Sequence, residues 1–565
     1  MKNHILHERK DFTDIRQLIE WAGNEHGEKC AYSFRQKPTD KDITKISFNQ
    51  LRNDVRALAS ELLAMGCAGK HCVVIGKLSY DWALVYFAAL SIGAVLVPLD
   101  KDWHSDDLAD TAKKANVDFL FCDEELAEKA KVISETVELV APPVFMLAKE
   151  NERNIKTLVA LGHMKFQKDP DAYFNAPIDP FALALLVFTS GTTGKGKGVM
   201  LSQNAVISNI SVAIPYIDYS NKTVAVLPPH HTYGSTILFV GHTIIGAEVY
   251  ISAGLRYITK ELKEQKPGHL VLVPLYLETF YRRILSNVKE QDKEKILFRM
   301  IKISNGLRKV GIDRRREFFA SIRNAFGGEI KTIISGGAPI NPEILAFFDA
   351  LGISTLNGYG ITECAPLIAF NRSKNIVPGS VGNVIDIDTV KIDEPNEDGE
   401  GEIWVSGPNV MLGYYNDTDA TAEAMDEEGY FKTGDYGKLD ENGILYITGR
   451  KKNLIILSNG KNVYPEEIEN ELIAVPGILE IVVYEGKSRR GIAHNAIVAE
   501  VFPDLDYCKA NGIFDIKEHL KSHIDAYNRG AVPYKKITQL KIRKEEFPKN
   551  TLRKIMRFKI DTEIE

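Results

Sequence analysis

Along the first third of the chain, hydrophobic positions switch between a helical period and short apolar runs. Leu51, Val55, Leu58 and Leu62 recur at spacings of 4, 3 and 4, which places them on one helix face, and Gly66 stands where that helix should stop. Residues 72–75 (Cys-Val-Val-Ile) then read as a short buried strand. Trp82 to Leu99 is eighteen residues without a charge, long enough to raise the question of a membrane span. Ser91, Gly93 and Pro98 punctuate it and residues 94–97 read as a strand, so the pattern predicts a buried helix running into a buried strand. Such alternation predicts layered α/β architecture with mainly parallel sheets.

Between Val377 and Gly449 the texture changes to short strands separated by glycine turns, as in 401–405 and 443–447, and a small β-barrel or sandwich is expected there. Beyond the basic run Arg450-Lys451-Lys452 a new unit begins. Pro465 suits the first position of a helix with Glu466 and Glu467 in its first turn, Ile468 and Leu472 form its buried side, and Pro476-Gly477 follows it. Strands are expected at 478–484 and 496–502. The pattern thus predicts two domains, 1–451 and 452–565, with the boundary near Lys452.

Composition narrows the class of protein. At 565 residues the chain exceeds one ordinary core. A formal net charge of −6 speaks against a nucleic-acid partner. Six cysteines without CxxC spacing give neither a disulfide framework nor a zinc site and fit reduced thiols in the cytoplasm. The opening residues MKNHILHERKDF have no apolar core, so no signal peptide is expected.

The richest segment is 185–199, Leu-Leu-Val-Phe-Thr-Ser-Gly-Thr-Thr-Gly-Lys-Gly-Lys-Gly-Val. An apolar strand runs into hydroxyls, glycines and lysines, which together suit a polyphosphate. Gly191 to Lys197 satisfies GxxxxGK, yet Gly198 stands where a Walker loop needs Ser or Thr for magnesium. A Walker loop also opens directly into a helix. Here 199–201 continues as a strand, with Ser202 the first credible helix cap. A P-loop kinase or GTPase is therefore disfavoured.

The same loop resembles the (T)SGTTGxPKG signature of the adenylate-forming superfamily, which includes acyl-CoA synthetases, luciferases and peptide-synthetase adenylation domains. Thr189, Ser190, Gly191, Thr192, Thr193, Gly194 and Lys197 match. Gly196 replaces the proline, which is expected to loosen the loop. Other motifs follow in family order. The resemblance places Gly337 and Ala338, in the turn after 333–335, against adenine. In Asn357-Gly358-Tyr359-Gly360-Ile361-Thr362-Glu363 it implies that Tyr359 stacks on adenine, Thr362 contacts phosphate and Glu363 helps hold Mg²⁺. Asp435 is implied to accept from both ribose hydroxyls and Arg450 to reach the nucleotide. Lys452 falls at the hinge of a small mobile C-terminal α+β domain. Phe547 to Arg557 is similar to the PKTxxGK motif, so Lys554 matches the catalytic lysine, with Arg553 in place of the usual glycine. Gly460 matches the position beside the thiol tunnel.

The resemblance implies ATP-dependent formation of an acyl-adenylate and transfer to a thiol, and the texture is most similar to bacterial long-chain fatty-acyl-CoA synthetases. A carboxylic acid is already ionised at neutral pH, so the obstacle is its repulsion by the triphosphate. Lys554, Thr189, Glu363 with Mg²⁺, and His231 are the candidate catalytic residues. Residues 227–234 (Leu-Pro-Pro-His-His-Thr-Tyr-Gly) match the acyl-site segment and carry no aspartate for an amino-acid ammonium. The apolar run 236–240 suits an alkyl chain and suits a core helix equally. Coenzyme A is the expected acceptor, with an acyl carrier protein the alternative. Medium-chain or aromatic acids and a catalytically dead nucleotide binder also stay open, as do a homodimer and peripheral membrane contact.

Overall fold

The computed structural model describes residues 5–148, 153–189, 196–457, 462–473, 475–487, 493–549 and 555–564. The helix expected around Leu51 spans Phe48–Ala64. Its cap Ser47 accepts from the Gln50 amide, and Gly66 follows at φ 83°. The uncharged stretch becomes helix Tyr80–Leu90 and buried strand Val95–Leu99. Among the described residues no helix is long and apolar enough to cross a membrane.

Strand His71–Ile75 lies between Val95–Leu99 and Phe119–Asp123, parallel to both. This seven-stranded sheet extends to Val144–Met146 on one side and to Leu183–Thr189, Lys197–Ser202 and Gly413–Tyr414 on the other. A nine-stranded sheet begins with parallel strands His269–Leu272, Thr332–Ser335 and Ser354–Gly360. It continues antiparallel through Leu367–Phe370, Gly382–Val384, Ile444–Arg450, Phe431–Leu439, Gly401–Ser406 and Thr389–Asp393. The glycine-punctuated strands of 377–449 therefore prolong the parallel ladder. Among the described residues no pairing brings Thr389–Asp393 back to close a barrel. A four-stranded sheet joins Thr44–Ser47, Cys30–Phe34, Glu248–Ile251 and Lys222–Ala225.

The main core gathers large aromatic side chains, with Trp82, Tyr86 and Phe87 around Phe239. A second core covers the parallel end of the long sheet, where Leu270, Leu272 and Ile333 meet Leu277, Phe280 and Phe348. The C-terminal residues have a core of their own, including Ile455, Ile468, Leu472, Val483, Val501 and Leu520. Their sheet pairs Ile478–Lys487 antiparallel with Ala493–Pro503, which pairs parallel with Gln539–Ile542. Helix Pro465–Leu472 starts on its proline as the sequence indicates. It sits against the end of strand Ile444–Arg450: a Cβ on Gly449 would lie 2.9 Å from Tyr464 and 3.1 Å from Glu466.

Candidate active site

Strands Leu183–Thr189 and Lys197–Ser202 form an antiparallel hairpin with Thr189 opposite Lys197. Ser202 then caps helix Gln203–Ala213, its Oγ accepting from the Ala205 amide at 3.0 Å. A whole strand separates the lysine from the next helix, which rules out Walker geometry. Ser190, Gly191, Thr192, Thr193 and Gly194 lie outside the described residues. Gly196 immediately precedes Lys197. A Cβ there would lie 2.5 Å from the Thr189 carbonyl oxygen, so glycine lets the two arms of the hairpin close.

Register then gathers charge. Strand Gly413–Tyr414 pairs with Lys197–Ser202, setting Tyr414 opposite Val199. The Lys197 ammonium stands 4.6 Å from the centroid of the Tyr414 ring. The Tyr414 hydroxyl donates to Glu363 Oε1 at 3.0 Å. Glu363 lies in the turn Thr362–Cys364, and its carbonyl accepts the Met411 amide at 2.8 Å. Behind that turn the side-chain amides of Asn209 and Asn409, both buried, donate to the carbonyls of Cys364 and Leu367. Burial raises the Glu363 carboxyl above its usual range, while its own amide, Tyr414 and Arg450 oppose that shift.

Strand Ser354–Gly360 carries Asn357, Gly358, Tyr359 and Gly360. A Cβ on Gly360 would lie 2.1 Å from the Pro366 carbonyl oxygen, so this strand can run close to the turn only with glycine there. The Tyr359 hydroxyl donates to Asp435 Oδ2 at 2.8 Å, and Arg450 Nε stands 2.9 Å from Asp435 Oδ1. Asp435 and Arg450 are direct partners across their two strands. Burial pushes the Tyr359 hydroxyl well above its ordinary pKa, and the Asp435 carboxylate raises it further.

Strand Thr332–Ser335 ends in the turn Gly336-Gly337, with Gly337 at φ 86° and Ala338 following, partly exposed. Between this turn and Tyr359 opens an apolar cavity walled by Ile210, Ala213, Tyr233, Ile237, Leu367 and Phe370. Of the run 236–240 only Thr236 and Ile237 reach it. Leu238, Phe239 and Val240 belong to the main core. Thr236–Gly241 is π-helical, a form that recurs at functional sites. His231 caps helix Thr232–Ser235, its ring centroid 4.3 Å from that of His230. It lies beside the cavity-lining Tyr233 and is not itself part of the wall.

Lys452 is exposed in the single turn Lys451–Asn453. Gly460 and Lys554 lie outside the described residues. On either side of Lys554, Lys549 pairs with Ile555 and the Met556 amide donates to the Pro548 carbonyl at 2.8 Å. Sequence reasoning missed Tyr414, Asn209 and Asn409. Tyr414 comes just after a glycine in a short strand, and the asparagines sit among ordinary polar positions, so only sheet register and packing reveal them.

Residues 19–415 match the family of AMP-binding enzymes. The chain belongs to that family. Long-chain-fatty-acid–CoA ligase 1 of Cavia porcellus is 28% identical over 510 residues, 83% of this chain and 71% of that protein. Long-chain-fatty-acid–CoA ligase FadD15 of Mycobacterium tuberculosis is 28% identical over 475 residues, 80% and 77% of the two chains. The fold of this AMP-binding enzyme is similar to that of ATP-bound MatB from Rhodopseudomonas palustris, with TM-score 0.73 and 23% identity over 96% of this chain and 97% of the other. It is also similar to o-succinylbenzoate CoA synthetase (MenE) from Bacillus subtilis with its acyl-adenylate intermediate, with TM-score 0.69 and 19% identity over the same shares.

Mg²⁺, which such enzymes use, fits the residues present. Among the described residues no group of three or more His, Cys, Asp or Glu forms a protein cage. One partly buried carboxylate, Glu363, suits an ion held mostly by substrate phosphates and water.

Proposed function

We propose that this AMP-binding enzyme joins a long-chain fatty acid to ATP, giving acyl-AMP and pyrophosphate, and then passes the acyl group to the thiol of coenzyme A. The observation that carries this reading is the meeting of an apolar cavity with the Tyr359–Asp435–Arg450 cluster at the Gly336-Gly337 turn. The names of its relatives, long-chain-fatty-acid–CoA ligases, agree with it. Among the described residues no Asp or Glu lines the cavity, so an amino-acid ammonium would be buried there without a partner.

The fatty carboxylate attacks the α-phosphorus of ATP as the bond to pyrophosphate breaks. No general base is needed, because the acid is ionised. What the site must supply is positive charge where negative charge accumulates. Lys197, Thr189, the loop 190–194 and Lys554 serve the phosphates. Glu363 would hold Mg²⁺, which would supply positive charge against the phosphates. Asp435 and Arg450 hold the ribose and nucleotide, and His231 flanks the acyl carboxylate. In the second step thiolate attacks the acyl carbon and AMP leaves. With a thiol pKa of about 8.5, roughly 3% is thiolate at pH 7, sufficient against a mixed anhydride. We assign residues 452–565 to a lid that turns at Lys452 and brings Gly460 beside the thiol. Its separate core supports this division. The six unpaired cysteines support a cytoplasmic location.

The test is ATP–pyrophosphate exchange across straight-chain fatty acids of graded length, aromatic acids and amino acids. Exchange driven by fatty acids is expected. Exchange driven by amino acids, and not by fatty acids, refutes the cavity reading.

A further inference from the structure

We propose that the exposed face of helix Glu294–Lys309 is a docking surface for an anionic lipid membrane. This concerns a surface away from the cavity and does not depend on the identity of the acid. The helix is anchored by Leu297 and Ser304, which are buried, with Met300 and Ile301 against the second core. Its outer side is unusual. Ile296, Ile303 and Val310 recur every seventh residue and are 55%, 52% and 71% exposed. At 3.6 residues per turn such spacing drifts only ~20° per step, so the three side chains form one apolar ridge. Phe298 and Ile312 are exposed as well.

Beside the ridge on the exposed face stand Lys295, Arg299, Lys302 and Lys309. The ion pairs of this region run instead from Arg308 and Arg315 to Asp349, from Arg315 to Asp313 and from Arg314 to Glu317. Residues 293–316 hold nine Lys and Arg against two acids, in a chain whose net charge is −6. That local excess of cations selects the occupant. A second copy of this chain docked ridge to ridge would set the same lysines and arginines against themselves. An anionic bilayer satisfies both features. Branched aliphatic side chains enter the boundary between headgroups and acyl chains, while the lysine and arginine stems lie along it with their charges at the phosphates.

The experiment is co-sedimentation of the full chain, without ATP, with phosphatidylcholine vesicles prepared with and without phosphatidylglycerol, at low and raised salt. Binding is expected only when phosphatidylglycerol is present, weakening as salt rises. Lys302→Glu with Lys309→Glu should lower the partition coefficient about tenfold or more. Ile303→Glu with Val310→Glu should lower it on the same vesicles at unchanged basic charge. Both pairs should leave ATP binding as in the wild type, showing that the variants are folded. Equal binding to neutral and anionic vesicles, or wild-type binding by both variants, overturns the proposal. So does absence of vesicle binding with capture of an acidic carrier protein, or with a dimer that Ile303→Glu dissociates.

Discussion

Tyr414 offers the sharpest test of the site, because its ring and its hydroxyl face different charges. The hydroxyl donates to Glu363 Oε1 at 3.0 Å, and the ring lies 4.6 Å under the Lys197 ammonium. Tyr414→Phe removes the first contact and keeps the second. A hydrogen bond to a charged group contributes about 1.5–3 kcal/mol. If Glu363 binds Mg²⁺ as a carboxylate oriented by Tyr414, Tyr414→Phe should shift the Mg²⁺ concentration for half-maximal exchange upward by about 10- to 100-fold. Saturating Mg²⁺ should restore most of the rate. Tyr414→Leu also removes the ring, and the lost cation–π contact of about 0.5–2 kcal/mol should appear as a higher KM for ATP. The assay is ATP–pyrophosphate exchange titrated separately in Mg²⁺ and in ATP. A Tyr414→Phe enzyme whose Mg²⁺ dependence matches the wild type, or whose rate falls equally at every Mg²⁺ concentration, refutes the role given to Glu363.

Four other outcomes are expected. Lys554→Ala should lower acyl-AMP formation about 10²–10³-fold with little change in ATP affinity, since its charge acts mainly in the transition state; near-normal adenylation would move the role to Arg553 or Lys549. Lys452→Pro fixes one backbone angle at the proposed hinge, so adenylation should persist while transfer from preformed acyl-AMP slows, and an unchanged ratio of the two single-turnover rates argues against a hinge there. Gly360→Ala should lower the melting temperature and weaken nucleotide binding together, because its Cβ would sit 2.1 Å from the Pro366 oxygen; a variant of wild-type stability contradicts that packing. Burial pushes the Asp388 carboxyl up to about 8, against about 3.9 in an unfolded chain. The raised folded pKa means that the native state holds the extra proton. Its stabilising effect is complete below the unfolded pKa and is lost as pH rises through about 8. Asp388→Asn should therefore flatten the fall in urea midpoint between about pH 4 and about pH 8, and an identical fall in both proteins refutes the assignment.

Much of this was legible in the sequence, for identifiable reasons. The elements around Leu51, Trp82, Ile333 and Pro465 follow from local periodicity and caps, and each appears within a few residues of its expected bounds. Tyr359, Asp435 and Arg450 were named from motif resemblance alone, and the folded chain brings them into contact. What local pattern could not supply was sheet membership. Strands 382–384 and 431–450 carry the glycine spacing of a small separate β unit, yet they extend the parallel ladder. Nor could it supply Tyr414, which meets Glu363 only because Gly413–Tyr414 pairs with Lys197–Ser202. The run 236–240 shows the remaining limit. Apolarity alone does not tell a residue lining a cavity from one filling a core, and here neighbouring residues do each.

The Asp435 cluster suggests how an apolar site admits so charged a substrate. Asp435 Oδ2 accepts from Tyr359 at 2.8 Å and Oδ1 faces Arg450 at 2.9 Å. Asp435 is almost fully buried, whereas the Arg450 side chain is 58% exposed. A carboxylate has about four acceptor sites, so Tyr359 can keep its bond while ribose hydroxyls take the others. Arg450, always charged and able to reach solvent, can turn to a phosphate as the ribose arrives. In that arrangement each charge would keep a partner. Removing Arg450 with no replacement would leave the buried Asp435 carboxylate short of a partner, and exchange of partners avoids that penalty. The same logic explains why Asp435 and Arg450 face one another across adjacent strands. Rigid sheet register would keep the proposed ribose acceptor in place, while its arginine, at the end of a strand, could change partners.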